Sequence, residues 1–191
     1  MLSDKQKQYI SDPESFLLKN EVDDQINKLL YRFQQTLSGL IDQNAYNFPD
    51  KIGKTTFKVS KGNNHKGFPF QVIDFPASLG QEHAFSFRSV IWYANFFSFS
   101  LILKGTPKET YTQQLVQLVD KDFILLWFDN IWESDIATEQ SMEITKNQLS
   151  ELTKIYQEKE AIKIIKSYNL NQIEEFERLG TECFKELFRK V

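Results

Sequence analysis

The chain has 191 residues, one cysteine, two histidines and a formal net charge of −3. A single cysteine excludes an internal disulfide framework, and with two histidines it excludes a Cys/His zinc site within one chain, which takes about four such ligands. The acidic total weighs against nucleic acid as a partner, and no run of about 18 apolar residues exists to span a membrane.

The expectation is therefore a single domain over residues 1–191, in a reducing cytoplasmic compartment. Its 17 Phe outnumber 7 Tyr and 3 Trp. Phenylalanine carries no hydrogen-bonding group, so this excess points to a thick apolar core rather than an aromatic recognition surface.

After a polar start, Asp12-Pro13-Glu14 reads as a helix N-cap, a first-turn proline and a first-turn acid. Val22, Ile26, Leu29, Leu30, Phe33, Leu37, Leu40 and Ile41 then recur at helical spacing and predict an amphipathic helix ending near Gln43. A loop from Asn44 to Asp50 follows. Phe57 and Val59 alternate with polar residues as a short strand, and Gly62 to Gly67 reads as a loop. Phe68 to Phe75 is a second strand, closed by Pro76, with Ala77 to His83 leading onward.

The longest β signal is Phe85 to Lys104. Phe85, Phe87, Ile91, Tyr93, Phe97, Phe99, Leu101 and Leu103 share one parity and hence one sheet face. The stretch is too long for one strand, so a three-residue loop is expected at Tyr93-Ala94-Asn95, with Asn95 left-handed. That register sets Ile91 opposite Phe97, Phe87 opposite Leu101 and Phe85 opposite Leu103.

Gly105 ends the sheet, and Thr106-Pro107-Lys108-Glu109 predicts a capping box opening a helix lined by Tyr111, Leu115, Leu118 and Val119. Phe123 to Phe128 reads as a fifth strand, apolar on both sides and therefore central or covered. Asp129 to Ser141 is polar and loop-like, and Leu149, Leu152, Ile155 and Tyr156 mark a helix. Ala161 to Tyr168 fits helix and edge strand alike. Asn171 and Glu174 open a last helix whose stripe is Ile173, Phe176, Leu179, Cys183, Phe184 and Leu187; Cys183 is a small core residue there. The order predicts an α+β fold: an antiparallel sheet of about five strands, a meander plus one later strand, covered by N-terminal and C-terminal helices.

Charge is unevenly spread. Residues 1–50 carry 5 basic and 8 acidic side chains, residues 51–104 carry 7 and 2, and residues 105–191 carry 11 and 16. Lys51, Lys54, Lys58, Lys61 and Lys66 form a basic run without an acid. It suits either a lysine-protected edge strand or, with Gly62 and Gly67, a hold on phosphate. Nucleotide-binding glycine loops and the GxSxG nucleophile elbow are absent from the sequence, and nothing in it implies a cofactor or a metal.

Arg88 alone among the arginines lies in the predicted sheet. It needs a planar acceptor, which Asp74 at the end of the preceding strand can supply. It shares its face with Ser86, Val90, Trp92, Phe96, Ser98, Ser100 and Ile102, a mixture too polar for core and too apolar for water. Such a face suits a small-molecule pocket, a homodimer contact or partial cover by the same chain. His65 and His83 flank the second strand and are either exposed loop residues or a general base. Asp129 and Glu133, beside Trp127 and Trp132, are a further carboxylate pair without fixed geometry.

KVSKGNNHKGFPFQVIDFP followed by FRSVIWYANFFSFSLILKG resembles a group of uncharacterised bacterial proteins of Bacteroidetes type. The shared elements are the glycine-bearing loop Lys61 to Gly67, the strand end Asp74-Phe75-Pro76 and the aromatic hairpin Trp92 to Phe97. The resemblance covers residues 56–105 and implies a bacterial cytoplasmic α+β protein, with no activity attached. The expected function is binding or interaction through the mixed face, with Arg88, Asp74, Trp92, His65 and Lys66 as ligand-binding residues. The alternative is a small enzyme in which Arg88 holds an anionic substrate and a nearby carboxylate or histidine serves as acid or base.

Overall fold

The computed structural model describes residues 1–43, 46, 48, 57, 59–111, 114–127 and 140–188. Helices α1 (Asp4–Ile10) and α2 (Pro13–Gln43) come first. Asp12 caps α2 as expected, its carboxylate accepting from the Glu14 N–H at 3.0 Å and the Ser15 hydroxyl at 2.6 Å. The polar start predicts no element over α1. Its signal is a capping box, in which Ser3 and Gln6 each accept from the other's backbone N–H.

Strands β1 (Val59–His65), β2 (Phe68–Leu79), β3 (Ala84–Trp92) and β4 (Phe96–Lys104) then form an antiparallel meander. Short helices α3 (Thr106–Thr110) and α4 (Gln114–Gln117) lead to β5 (Ile124–Leu126) and β6 (Ser141–Glu143), and α5 (Leu149–Glu158), β7 (Ala161–Asn169) and α6 (Phe176–Leu187) follow. All the strands join one open antiparallel sheet in the order β1-β2-β3-β4-β7-β5-β6. The α+β class holds, with 7 strands among the described residues rather than about five.

The central hairpin has the expected register, Ile91 opposite Phe97, Phe87 opposite Leu101 and Phe85 opposite Leu103. The left-handed residue of its loop is Ala94, at φ 59°, and not Asn95. Asn95 instead ties the loop by donating its backbone N–H to the Trp92 carbonyl at 3.1 Å and its amide to the Tyr93 carbonyl at 2.8 Å.

Four further expectations are corrected. Gly62 to His65 is strand, and the turn is confined to Lys66 and Gly67, both at positive φ, as a two-residue hairpin requires. Gly62 sits mid-strand because the Phe70 ring lies over it, where an added Cβ would come within 2.4 Å. β2 runs past Pro76 through a bulge between Asp74 and Ala77, a position at which a missing N–H is tolerated.

Residues 161–169 are a strand at the sheet's centre, between β4 and β5, rather than a helix or an edge. Thr106 heads no capping box: Gly105 at φ 64° precedes α3, and the His83 Nδ1 accepts the Thr106 N–H at 3.3 Å. The expected loops at 44–50 and 129–141 lie, but for residues 46, 48, 140 and 141, outside the described residues.

One face of the sheet carries the core. Phe85, Phe87, Phe97, Phe99, Leu101 and Leu103 meet Phe33 and Leu37 of α2 and Phe176, Cys183 and Phe184 of α6. Phe99 lies 5.6 Å from Phe33 and 4.9 Å from Phe176, ring centre to ring centre. Gly180 lets α6 approach so closely, since a Cβ there would fall 2.4 Å from Phe33 and 2.6 Å from Phe99. Cys183 is buried on this face, which pushes its thiol pKa up and keeps it a packing residue. Among the described residues no helix is long and apolar enough to cross a membrane.

Candidate functional site

The other face of the sheet is the mixed one, and its cross-strand rows can be read from the register. Asp74, Arg88, Ser100 and Ile165 lie side by side on β2, β3, β4 and β7. Toward the β3–β4 turn come the rows Val72, Val90, Ser98, Ser167 and then Phe70, Trp92, Phe96, Asn169. In the opposite direction lie Ser86, Ile102, Lys163 and Leu126. Among the described residues, Val72, Val90, Trp92, Phe70 and Phe96 form a second apolar cluster, all of them on strands.

Arg88 and Asp74 make the pair that the sequence suggests. The guanidinium donates from Nε to Oδ1 and from Nη2 to Oδ2, both at 2.8 Å, and the Ser86 hydroxyl donates to Oδ1 at 2.5 Å. Their side chains keep 13% and 18% of their exposure, so the pair is sheltered but reachable. A two-point pair of this kind fixes the guanidinium plane. With a donor on each carboxylate oxygen, Asp74 acts first as an orienting group for Arg88.

His65 and Trp92 adjoin at the other end of the same strip. Their rings stand 4.7 Å apart edge to face, and the indole N–H donates to the His65 carbonyl at 3.2 Å. From Arg88 to Trp92 is four residues along β3, roughly 13 Å at strand rise. Four of the predicted site residues therefore share one strip. Lys66 stands at the β1–β2 turn beyond His65, at φ 50°. His83 lies at the opposite end of β3, beside Ala84, and serves Thr106; the two histidines do not converge. Lys51, Lys54, Lys58, Asp129, Glu133 and Trp132 lie outside the described residues.

The mixed face is far more buried than its composition suggests. Ser86, Ser98 and Ser100 are buried, and Lys163 keeps only 1% of its exposure. Sequence reading passes over Lys163 because Ile162, Ile164 and Ile165 dominate the stretch. Its signal is a lone cation inside an apolar run. Ser98 Oγ is buried without a hydrogen-bond partner among the described residues, as is Ser89 Oγ on the core face.

A second polar group escapes sequence reading because its members are far apart in the chain. Asp23 of α2 accepts from the Tyr93 hydroxyl at 2.8 Å and from Lys19 at 2.9 Å, with Lys61 at 3.9 Å. Gln71 donates to the Asp23 carbonyl and the Tyr93 hydroxyl, both at 2.9 Å. Burial pushes the Asp23 carboxyl up, but the hydrogen bonds from Lys19 and Tyr93 and the charges of Lys19 and Lys61 outweigh it and leave it below its ordinary value. The same burial and the Asp23 charge push the Tyr93 hydroxyl up. This network fastens α2 to the end of the sheet.

A cavity of about 470 Å³ opens beside β5, β6 and β7, lined by Asp120, Asp122, Phe123, Glu143, Thr145 and Ser167 among others. None of the predicted site residues lines it, and its carboxylates suit no anion. No group of His, Cys, Asp and Glu able to hold a metal ion occurs among the described residues.

Fold and site together define an α+β protein with an open antiparallel sheet, helices on one face and a cation-bearing strip on the other. Comparison with protein families, with curated proteins and with solved structures finds no match to the chain.

Proposed function

We propose that this protein is a binding protein that holds a small anionic ligand on the mixed face, between Arg88 and Trp92. The observation that carries this reading is the placement of Arg88, Asp74, Trp92 and His65 on one strip of β1–β3. Arg88 supplies a guanidinium whose plane Asp74 fixes, a geometry suited to a carboxylate or phosphate. His65 and Phe96, half-buried around the buried Trp92, supply flat ring surface for the rest of the ligand. Lys163, one row away, adds positive charge to the same face.

The enzyme alternative has less behind it. Three hydrogen bonds already hold Asp74 as the partner of Arg88 and Ser86, and His83 sits at the far end of β3. A homodimer through the same face remains the rival within the binding class.

The test is native mass spectrometry followed by calorimetric titration with a panel of carboxylates and phosphates, on wild type and Arg88→Lys. The lysine keeps the charge and loses the planar guanidinium that Asp74 orients, so affinity for the best anion falls about tenfold while the melting temperature moves by only a few degrees. Equal affinity in the two proteins, or no anion bound by either, overturns the proposal. A bare dimer that Arg88→Lys weakens assigns the face to self-association.

A further inference from the structure

The first 22 residues stand apart from the core. None of the residues of α1 is buried, and the first buried residue of α2 is Asp23. Yet this arm is apolar: Tyr9, Ile10, Phe16, Leu17, Leu18 and Val22 are all exposed, Leu17 and Leu18 at 61% and 62%. Tyr9 and Phe16 touch, ring centres 5.3 Å apart. An isolated helix of 7 residues is marginal in water, so α1 has little to hold it when nothing covers it.

The shape of the apolar surface selects what covers it. Successive helix residues are about 100° apart, so Phe16, Leu17 and Leu18 in a row wrap roughly 200° of the circumference. A flat surface, such as a bilayer, covers one side of a helix and leaves the other side polar. Here Glu14 and Glu21 stand three and four positions from Leu17, on the side a membrane would have to take. Residues 1–22 carry Lys5, Lys7 and Lys19 against Asp4, Asp12, Glu14 and Glu21, a mixture that pairs with itself and offers an anionic lipid surface no net attraction.

The area also fits. The six side chains expose on the order of 600 Å² of apolar surface per copy, and an interface about 60% apolar then spans about 1,000 Å² per copy, above the ~800 Å² of a standard one.

We propose that the arm of α1 and the first turns of α2 is a dimerisation element, which packs against the same arm of a second copy across a two-fold axis near Leu17. The contact is isologous, so residues beside the axis meet their own counterparts. It is independent of the anion reading of the mixed face.

The experiment is sedimentation velocity of the full chain from about 1 to 200 μM, with wild type, Leu17→Asp and Leu17→Cys. Wild type is expected to be a dimer at the upper end, and Leu17→Asp a monomer at least tenfold beyond that range with an unchanged melting temperature, since Leu17 is exposed in the single chain. Leu17→Cys should give a disulfide-linked dimer under mild oxidation; Cys183 is buried and gives no background. A wild-type monomer at 200 μM, or a dimer that survives Leu17→Asp and does not cross-link at position 17, overturns the proposal. Cosedimentation of monomer with phosphatidylcholine–phosphatidylglycerol vesicles, lost in Leu17→Asp, also overturns it and makes the arm a lipid anchor.

Discussion

The two faces of the central hairpin are built from the same strands and obey different rules. On the core face, Phe85, Phe87, Phe97 and Phe99 alternate with the residues of the other face, and helices cover them. On the mixed face, Ser86, Ser98, Ser100 and Lys163 are as buried as those phenylalanines, and among the described residues the strand residues Phe70 and Phe96 join Val72, Val90 and Trp92 in their cluster. A polar group can be buried without loss only where a partner meets it. The core face is therefore specified by shape and apolar area, and the Asp74–Arg88–Ser86 end of the mixed face by bonding.

The largest test of that contrast is Phe99→Ala. The ring touches Phe33, Phe87, Phe97, Tyr168 and Phe176, so its removal leaves a cavity that five neighbours border. Denaturant unfolding should show a loss of about 3–5 kcal/mol. Val90→Ala on the mixed face removes about two methylenes and should cost about 1–2 kcal/mol. Equal losses per carbon removed would mean that the mixed face is packed as tightly as the core.

A middle-sized effect comes from the polar network that fastens α2 to the sheet. Asp23→Asn removes a charge that Lys19, Lys61 and Tyr93 all face, and should cost about 1–2 kcal/mol at neutral pH. The folded carboxyl lies below its ordinary value, so the native state binds fewer protons there than the unfolded chain. Its contribution is complete above about pH 4 and fades as pH falls through the folded value. Wild type and Asp23→Asn should then converge in stability in acid, measured as urea midpoints from pH 7 to 2. Parallel curves would detach Asp23 from the docking of α2.

What the sequence could show follows from which forces leave a local trace. Period-two alternation with one apolar face made the hairpin from Phe85 to Leu103 legible to the residue, and Asp12-Pro13 marked the start of α2. Arg88 and Asp74 were legible as a pair because a lone sheet arginine demands an acceptor nearby. β7 was not, because Ile162, Ile164 and Ile165 satisfy helix and strand alike, and pairing on both sides decides it. Gly62 reads as loop punctuation until Phe70 is seen lying over it. The His83 cap on Thr106 and the Asp23–Tyr93–Gln71 network join residues distant in the chain, and no spacing rule reports them.

The smallest effect separates the faces most sharply. Ser89 on the core face and Ser98 on the mixed face each bury a hydroxyl without a partner among the described residues. An unmet hydroxyl is costly, so Ser89→Ala and Ser98→Ala should both stabilise the fold, by up to about 1 kcal/mol. Ser89 stands between Ile73 and Phe99 on the core face, whereas Ser98 lies between Val90 and Ser167 on the strip that Arg88 and Trp92 share. If an anion on the mixed face takes the Ser98 hydroxyl as a donor, Ser98→Ala alone should weaken it, by about tenfold or more for one lost hydrogen bond to a charged group. Should both variants gain stability and bind alike, the Ser98 hydroxyl is as idle as that of Ser89, and the strip contacts its ligand through Arg88 without it.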